Sequence, residues 1–153
     1  ENRAGASQMI AADLTAKAPP DGYTLYISST TYTTTAALQP KLPFDPVSDL
    51  TGVTMLGRGP MVLVVHPSVP AKTVKELIAV ARAKPGQLNY TSSGIGGINH
   101  LGVEVFRSMA KIDIVHVPHK GMTPAITDLM AGQVQVLLVS LPSVESQMKS
   151  ACS

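Results

Sequence analysis

Ser92-Ser93-Gly94-Ile95-Gly96-Gly97 is the stretch whose residue types and spacing could do chemistry. Its three glycines let the backbone approach a ligand closely, and its serines add hydroxyls. It lies between a predicted strand at residues 88–91 and a predicted helix that begins near Asn99. A helix start leaves its first N–H groups unpaired and carries the positive end of the dipole, so the junction suits an anionic group. Two readings stay open: a cradle for a small anion or carboxylate, or glycines that only satisfy tight backbone geometry. The run matches neither the dinucleotide fingerprint nor the P-loop. Ile98-Asn99 follow Gly97, so no Lys-Ser/Thr pair is present for Mg²⁺–phosphate chemistry.

Catalysis has weaker support. A nucleophilic serine needs a base and an oxyanion hole, and Ser93 has no G-x-S-x-G frame. None of His66, His100, His116 and His119 has an obvious orienting acid. His116 and His119 flank Val117-Pro118, and the proline spoils a regular ligand face, so they read as structural and no metal is expected. His100 falls in a first helical turn, where it would cover the loop; His66 reads as exposed. Glu104 and Asp113 are too far apart along the chain to read as a glycosidase pair. Asp128 reads as solvated in mid-helix. Lys120 follows a strand end and could lend a positive charge to the cleft. No catalytic residue and no cofactor are expected. The alternative is a hydrolase- or transferase-like enzyme using Ser93 or His100.

Positioning that loop requires a regular alternation of elements. Met9, Ile10 and Leu14 share one predicted helix face. Pro19-Pro20-Asp21-Gly22 then turns the chain. Tyr23, Leu25 and Ile27 alternate as on a strand, ahead of the hydroxyl-rich run from Ser28 to Thr35. Pro40, Pro43 and Pro46 stiffen a connector, which sets a domain boundary near Leu50. Beyond it, strands are predicted at residues 61–65, 88–91, 112–117 and 134–139. Thr73-Val74-Lys75-Glu76 is a capping box, and Leu77, Ile78 and Ala81 continue an apolar stripe. Ile98, Leu101, Val105 and Met109 are the expected buried face of the next helix. Thr123 with Pro124 is expected to start another, which Gly132 closes. Leu141-Pro142-Ser143 opens a last helix. The alternation predicts an α/β architecture with parallel strands.

Composition narrows the function classes. The chain has 153 residues, 44% of them hydrophobic and only 14% charged. A net charge of +2 without a basic run argues against a nucleic-acid partner. The single Cys152 excludes an internal disulfide. No run reaches the ~18 apolar residues of a membrane span, and no signal-peptide pattern opens the chain.

A series of motifs runs through nearly the whole chain. It comprises Glu1-Asn2-Arg3-Ala4-Gly5, Ala18-Pro19-Pro20-Asp21-Gly22-Tyr23-Thr24-Leu25 and Leu42-Pro43-Phe44-Asp45-Pro46 with Asp49-Leu50. Val74-Lys75-Glu76-Leu77-Ile78, Lys84-Pro85-Gly86, Leu88-Asn89-Tyr90 and Ser92-Ser93-Gly94 follow. His100-Leu101, Val115-His116-Val117-Pro118-His119-Lys120-Gly121, Asp128-Leu129 and Gly132-Gln133-Val134 complete it. This order resembles the Bug/TctC solute-binding receptors of tripartite tricarboxylate transporters. The resemblance implies a periplasmic-binding-protein-like, type II-like two-domain α/β fold. Residues 1–50 would be a partial first domain, and 51–153 a second domain lacking its final strand. It implies a periplasmic receptor that captures a small carboxylated solute for membrane transporter subunits. Carried over by motif position, the ligand residues are Ser29, Thr30, Thr31 and Tyr32 from one domain. Ser92, Ser93, Gly94, Ile95, Gly96 and Gly97 come from the other. His119, Lys120, Gly121 and Ser140 would border the cleft. The family often has Tyr where His119 stands and an Asp-Asn pair where Val139-Ser140 stand. Residues 150–153 depart from its usual continuation. A shortened chain would leave apolar surface uncovered, so a homo-oligomer is a further expectation, and a truncated remnant that only self-associates stays open as another alternative.

Overall fold

The architecture follows from where the apolar runs find partners. The computed structural model describes residues 1, 3 and 5–145; the divergent ending and Cys152 lie outside the described residues. Helices α1 (Met9–Ala16) and α2 (Thr30–Leu38) come first. Then β1 (Met61–Val65), α3 (Val74–Ala83), β2 (Asn89–Ser92), α4 (Ile98–Ala110), β3 (Val115–Pro118), α5 (Met122–Met130) and β4 (Val136–Ser140) alternate. Leu141–Ser143 forms a 3-10 turn at the predicted last helix.

The four strands form one sheet in the order β1-β4-β2-β3. β2 runs parallel to both β3 and β4, with Tyr90 opposite His116 and Val136. β1 corrects the all-parallel expectation: it pairs antiparallel with β4, Met61 opposite Ser140 and Val65 opposite Val136. An apolar run reads alike in either direction, and pairing decides its sense only in the fold.

Helices cover both faces of the sheet. Leu77 and Ala81 of α3 and Val103 of α4 pack with Tyr90, Ile114 and Val136 on one side. Leu129 of α5 packs with Leu137 and Val139 on the other. Alternate residues of β4 therefore serve opposite cores, as strand pleat requires. The chain leaves β2 for β3 on one flank and returns past β2 to β4 on the other. Crossovers in opposite directions put α4 and α5 on opposite faces and open a crevice at the carboxyl end of β2.

Local chemistry sets the helix ends. The capping box forms as expected: Glu76 N–H donates to Thr73 Oγ1, and Thr73 N–H donates to Glu76 Oε2, both at 3.2 Å. α5 begins at Met122 after Gly121, so Thr123 is not its cap, while Gly132 takes the left-handed turn expected after the helix. On α4 the buried residues are Asn99, Val103 and Ala110, and Met109 is 80% exposed. That rotates the expected face, and Gly102 explains it. A Cβ there would collide with Leu138 Cδ2, so α4 presses its glycine side onto β4.

The first fifty residues make a small separate cluster in which Met9, Ala12 and Phe44 are buried among Tyr26, Tyr32, Leu42 and Leu50. Ile10 and Leu14 are exposed, contrary to the expected α1 face. The strand predicted from Tyr23 is absent. The segment forms no regular element, and Tyr23 is 93% exposed. A strand needs a neighbour to complete its ladder, and none of the described residues supplies one.

Candidate functional site

The loop from Ser92 to Gly97 lies at the carboxyl end of β2, directly before α4. Its backbone turns through Gly94 at φ +144° and Gly96 at φ +82°, values that L side chains rarely adopt. Ser92 Oγ ties the start of the loop: it donates to Gly94 O (3.1 Å) and accepts from Gly94 N–H (3.3 Å). Asn99 ties the end, accepting from Ser93 Oγ (3.3 Å) and donating to Leu138 O of β4 (2.6 Å). Gly96 N–H donates to His100 Nδ1 (3.3 Å), so His100 does cover the loop. Among the described residues, the N–H groups of Ile95, Gly97 and Asn99 have no protein acceptor. These donors flank the N-terminus of a thirteen-residue helix, where an anion gains from the dipole.

The opposite wall is the start of α2. Ser29 is its N-cap and accepts Thr31 N–H (3.3 Å). Gln8 holds that cap, its Nε2 donating to Ser29 Oγ at 2.9 Å. Thr31 faces Gly97, and Ile98 N–H reaches Thr31 Oγ1 at 3.5 Å. Thr34 Oγ1 donates to Gly96 O (3.1 Å). Thr35 is only 2% exposed, lies beside Gly96, and its hydroxyl has no partner. Ser7 Oγ adds a bond to Ile95 O (3.1 Å). Ala6, Ser7 and Gln8 all have positive φ, an uncommon run for residues with a Cβ. Such strain is held where surrounding contacts over-determine the backbone, as the bonds of Ser7 and Gln8 do here.

Behind the loop stands a polar stack. The His116 ring lies 4.7 Å from Tyr90 and 4.3 Å from His100. Burial, then the neighbouring His100, pushes His116 down to about 4, against a smaller opposing pull from Glu104. Tyr90 donates to Glu104 Oε1, and burial followed by that bond drives its pKa upward. Ser92 Oγ already donates to Gly94 O, so at 2.8 Å from His116 Nε2 it accepts, which makes that nitrogen the protonated one.

A second chain of contacts corrects two expectations. His119 Nδ1 is 2.8 Å from Thr91 Oγ1, and His119 Nε2 is 2.7 Å from Asp128 Oδ2. Asp128 is thus partnered and His119 has an orienting acid. The order hydroxyl–imidazole–carboxylate has the form of a nucleophile relay, but Thr91 is 0% exposed and no substrate reaches it. Ser93 donates to Asn99 and to no base. Among the described residues no group of three or more His, Cys, Asp or Glu could hold a metal ion.

Comparison with known proteins gives this geometry its context. The tripartite tricarboxylate transporter family receptor, TctC, matches residues 1–151. The chain belongs to the TctC family. The family is one of receptors, not enzymes. BugT of Bordetella pertussis is 36% identical over 98% of this chain, which covers 47% of BugT. A protein from the tcbD-tcbE intergenic region of a Pseudomonas species is 36% identical over 94%, covering 43% of its length. Among solved structures, R. palustris Rpa4515 with adipate superposes with TM-score 0.93 at 36% identity, over 99% of this chain and 51% of that one. MatC of Rhodopseudomonas palustris with bound malate gives 0.83 at 28%, over 95% and 50%. The chain therefore spans about half the length of these relatives, a partial periplasmic-binding-protein fold.

Within this TctC-family chain, the fold brings Thr31, Gly96 and Gly97 to one seam, with Ser29 capping the helix turn that carries Thr31, and with Ser92, Ser93 and Gly94 framing the loop and Ile95 exposed at its tip. Thr30 and Thr31 are the first turn of α2 rather than a loop. Tyr32 turns away: its hydroxyl donates to Pro46 O (2.8 Å) and its ring stacks on Phe44. The His119 backbone borders Gly94 while its ring faces Thr91 and Asp128. Lys120 is exposed, Gly121 caps α5, and Ser140 bonds Ser143 across the 3-10 turn. Ser7, Gln8, Thr34, Thr35 and Asn99 were not anticipated. Thr34 and Thr35 lie three and four residues after Thr31, the spacing of one helix face. A helix started at Thr30 would have revealed them.

Proposed function

We propose that this chain is the carboxylate-receiving part of a periplasmic solute-binding receptor that serves a tripartite tricarboxylate-type transporter. Residues 1–50 and 51–153 are read as contributions to two lobes, with the solute between them. One observation carries the reading. The α4 N-terminus, with unpaired N–H groups at Ile95, Gly97 and Asn99, meets the threonine face of α2 across two buried glycines. A carboxylate there gains charge-assisted hydrogen bonds, each worth about 1.5–3 kcal/mol, and a dipole contribution of up to ~2 kcal/mol. The adipate and malate of the two structural neighbours are dicarboxylates, which favours a small dicarboxylated solute. The periplasmic location rests on relatives such as the periplasmic binding protein BugD, and the transporter partner rests on the family.

Titration calorimetry of the chain with adipate, malate and the neutral adipamide tests the reading. Heat of binding from a dicarboxylate and none from adipamide is expected. Equal binding of adipate and adipamide, or none of either acid up to millimolar concentration, overturns it.

A further inference from the structure

The receiving loop is not held by its glycines alone. Its two inward ties end on imidazoles that lie against each other at a tilt of 35°: Gly96 N–H on His100 Nδ1 and Ser92 Oγ on His116 Nε2. We propose that His100 and His116 are positioning residues that set the Ser92–Gly97 loop, His100 accepting from it through a neutral Nδ1 and His116 donating to it from Nε2, so that protonation of His100 releases the Gly96 tie and the loop leaves its receiving geometry. The inference rests on the receptor reading for what the loop holds.

The tautomers are dictated by the bonds. Gly96 N–H can only donate, so His100 Nδ1 carries a lone pair and His100 Nε2 the proton. An imidazolium has no lone pair. Protonating His100 therefore turns the acceptor into a second donor aimed at Gly96 N–H, and the bond is lost. His116 lends its Nε2 proton to a Ser92 hydroxyl that is committed to Gly94 O, so its ring anchors the strand end of the loop. Two rings 4.3 Å apart cannot both take a proton without repulsion.

Other groups around the pair set this balance. Tyr90 of β2 lies against both rings. Glu104, one turn along α4, accepts from Tyr90 and meets Arg107 at 3.5 Å, so its charge is already engaged. The α2 side presents the hydroxyls of Thr31, Thr34 and Thr35 and the apolar end of Leu38, with no charged group among these residues. Burial with the His100 neighbour is why His116 resists protonation. His100, whose Nδ1 is the acceptor, is the ring through which acid acts on the loop.

Two readouts test the proposal, one with no solute. In the solute-free 153-residue chain, the Gly96 amide resonance should titrate with the midpoint of the His100 ring signals. In His100→Asn, whose Oδ1 can accept at the position of Nδ1 but does not titrate, the Gly96 resonance should stay flat. Adipate affinity of the native chain at neutral pH should be matched within about twofold by His100→Asn. His100→Leu should lose about five- to tenfold, the scale of one lost hydrogen bond. On acidification the native affinity should fall further than that of His100→Asn; protonation of adipate itself is common to both. A Gly96 resonance that does not move while His100 titrates, or equal acid sensitivity in both proteins, overturns the proposal. Failure to bind adipate with a Gly96 resonance that follows His100 would contradict the solute and leave the imidazole positioning standing.

Discussion

Replacing Gly96 and Gly97 one at a time by alanine separates backbone geometry from space. At Gly96 there is room: an added Cβ would meet Leu38 Cδ1 at 3.5 Å and Thr35 Oγ1 at 4.0 Å, ordinary contacts. The cost is conformational, because φ is +82°. A left-handed backbone costs an L residue about 1–2 kcal/mol, from which about 0.5 kcal/mol is recovered by restricting the unfolded chain. Gly96→Ala should therefore destabilise by about 1 kcal/mol. If the loop relaxes instead, the solute should bind about 5- to 30-fold more weakly. At Gly97 φ is −71° and ψ 161°, open to any residue, and the nearest atoms to a Cβ stand at 3.6 Å. Losing a glycine N-cap costs about 0.5 kcal/mol, and the unfolded-chain gain is of similar size. Gly97→Ala should be near neutral in stability. Urea unfolding and adipate calorimetry on both variants decide the matter. Equal losses in the two, or a larger loss at Gly97, would refute the geometry assigned to the loop.

Three further outcomes follow from contacts elsewhere. Gly102→Ala should lower stability by up to about 2 kcal/mol in urea unfolding, because overpacking of a Cβ against Leu138 costs about 1–3 kcal/mol and helix propensity returns about 1 kcal/mol; a stabilised variant would contradict the packing of α4 on β4. Asp128→Ala should cost about 1 kcal/mol, since its carboxylate is partly exposed and screened, and the His119 ring signals should shift with it; unchanged His119 signals would count against the contact. His116 is neutral in the fold down to about pH 4 but protonates near 6.5 when unfolded, so the unfolded state binds more protons between those values. Stability should therefore fall with pH across that window by about 2 kcal/mol after allowance for partial exposure, and His116→Gln should flatten the profile.

Particular residues show how far the sequence could be read. Met61–Val65 was legible because a continuous apolar run bounded by Pro60 and Pro67 has few other uses. The Thr73–Glu76 capping box was legible because its two bonds are local. The glycine loop before α4 was legible from composition alone. What escaped was non-local. Tyr23, Leu25 and Ile27 alternate as a strand does, yet pairing is what makes a strand. The threonine run from Thr30 reads as β-branched and loop-like, while the Ser29 cap and its Gln8 partner start a helix there. Asn99 carries no apolar signal, but its amide finds Leu138 O and the residue is buried on the side of α4 that also buries Val103. His119 and Asp128 meet across a turn into α5 that spacing does not disclose. The tilted ring contact of His100 with His116 joins a helix start to a neighbouring strand, and only the sheet order creates it.

Amide chemical-shift mapping of the chain with adipate tests the central claim most directly. The account predicts the largest shifts at Ile95, Gly97, Ile98 and Asn99, accompanied by Thr31 and Thr35 of α2, with adipamide producing none of them. Shifts confined to residues away from the α4 N-terminus, or the same shifts from adipamide, would contradict carboxylate capture at this seam.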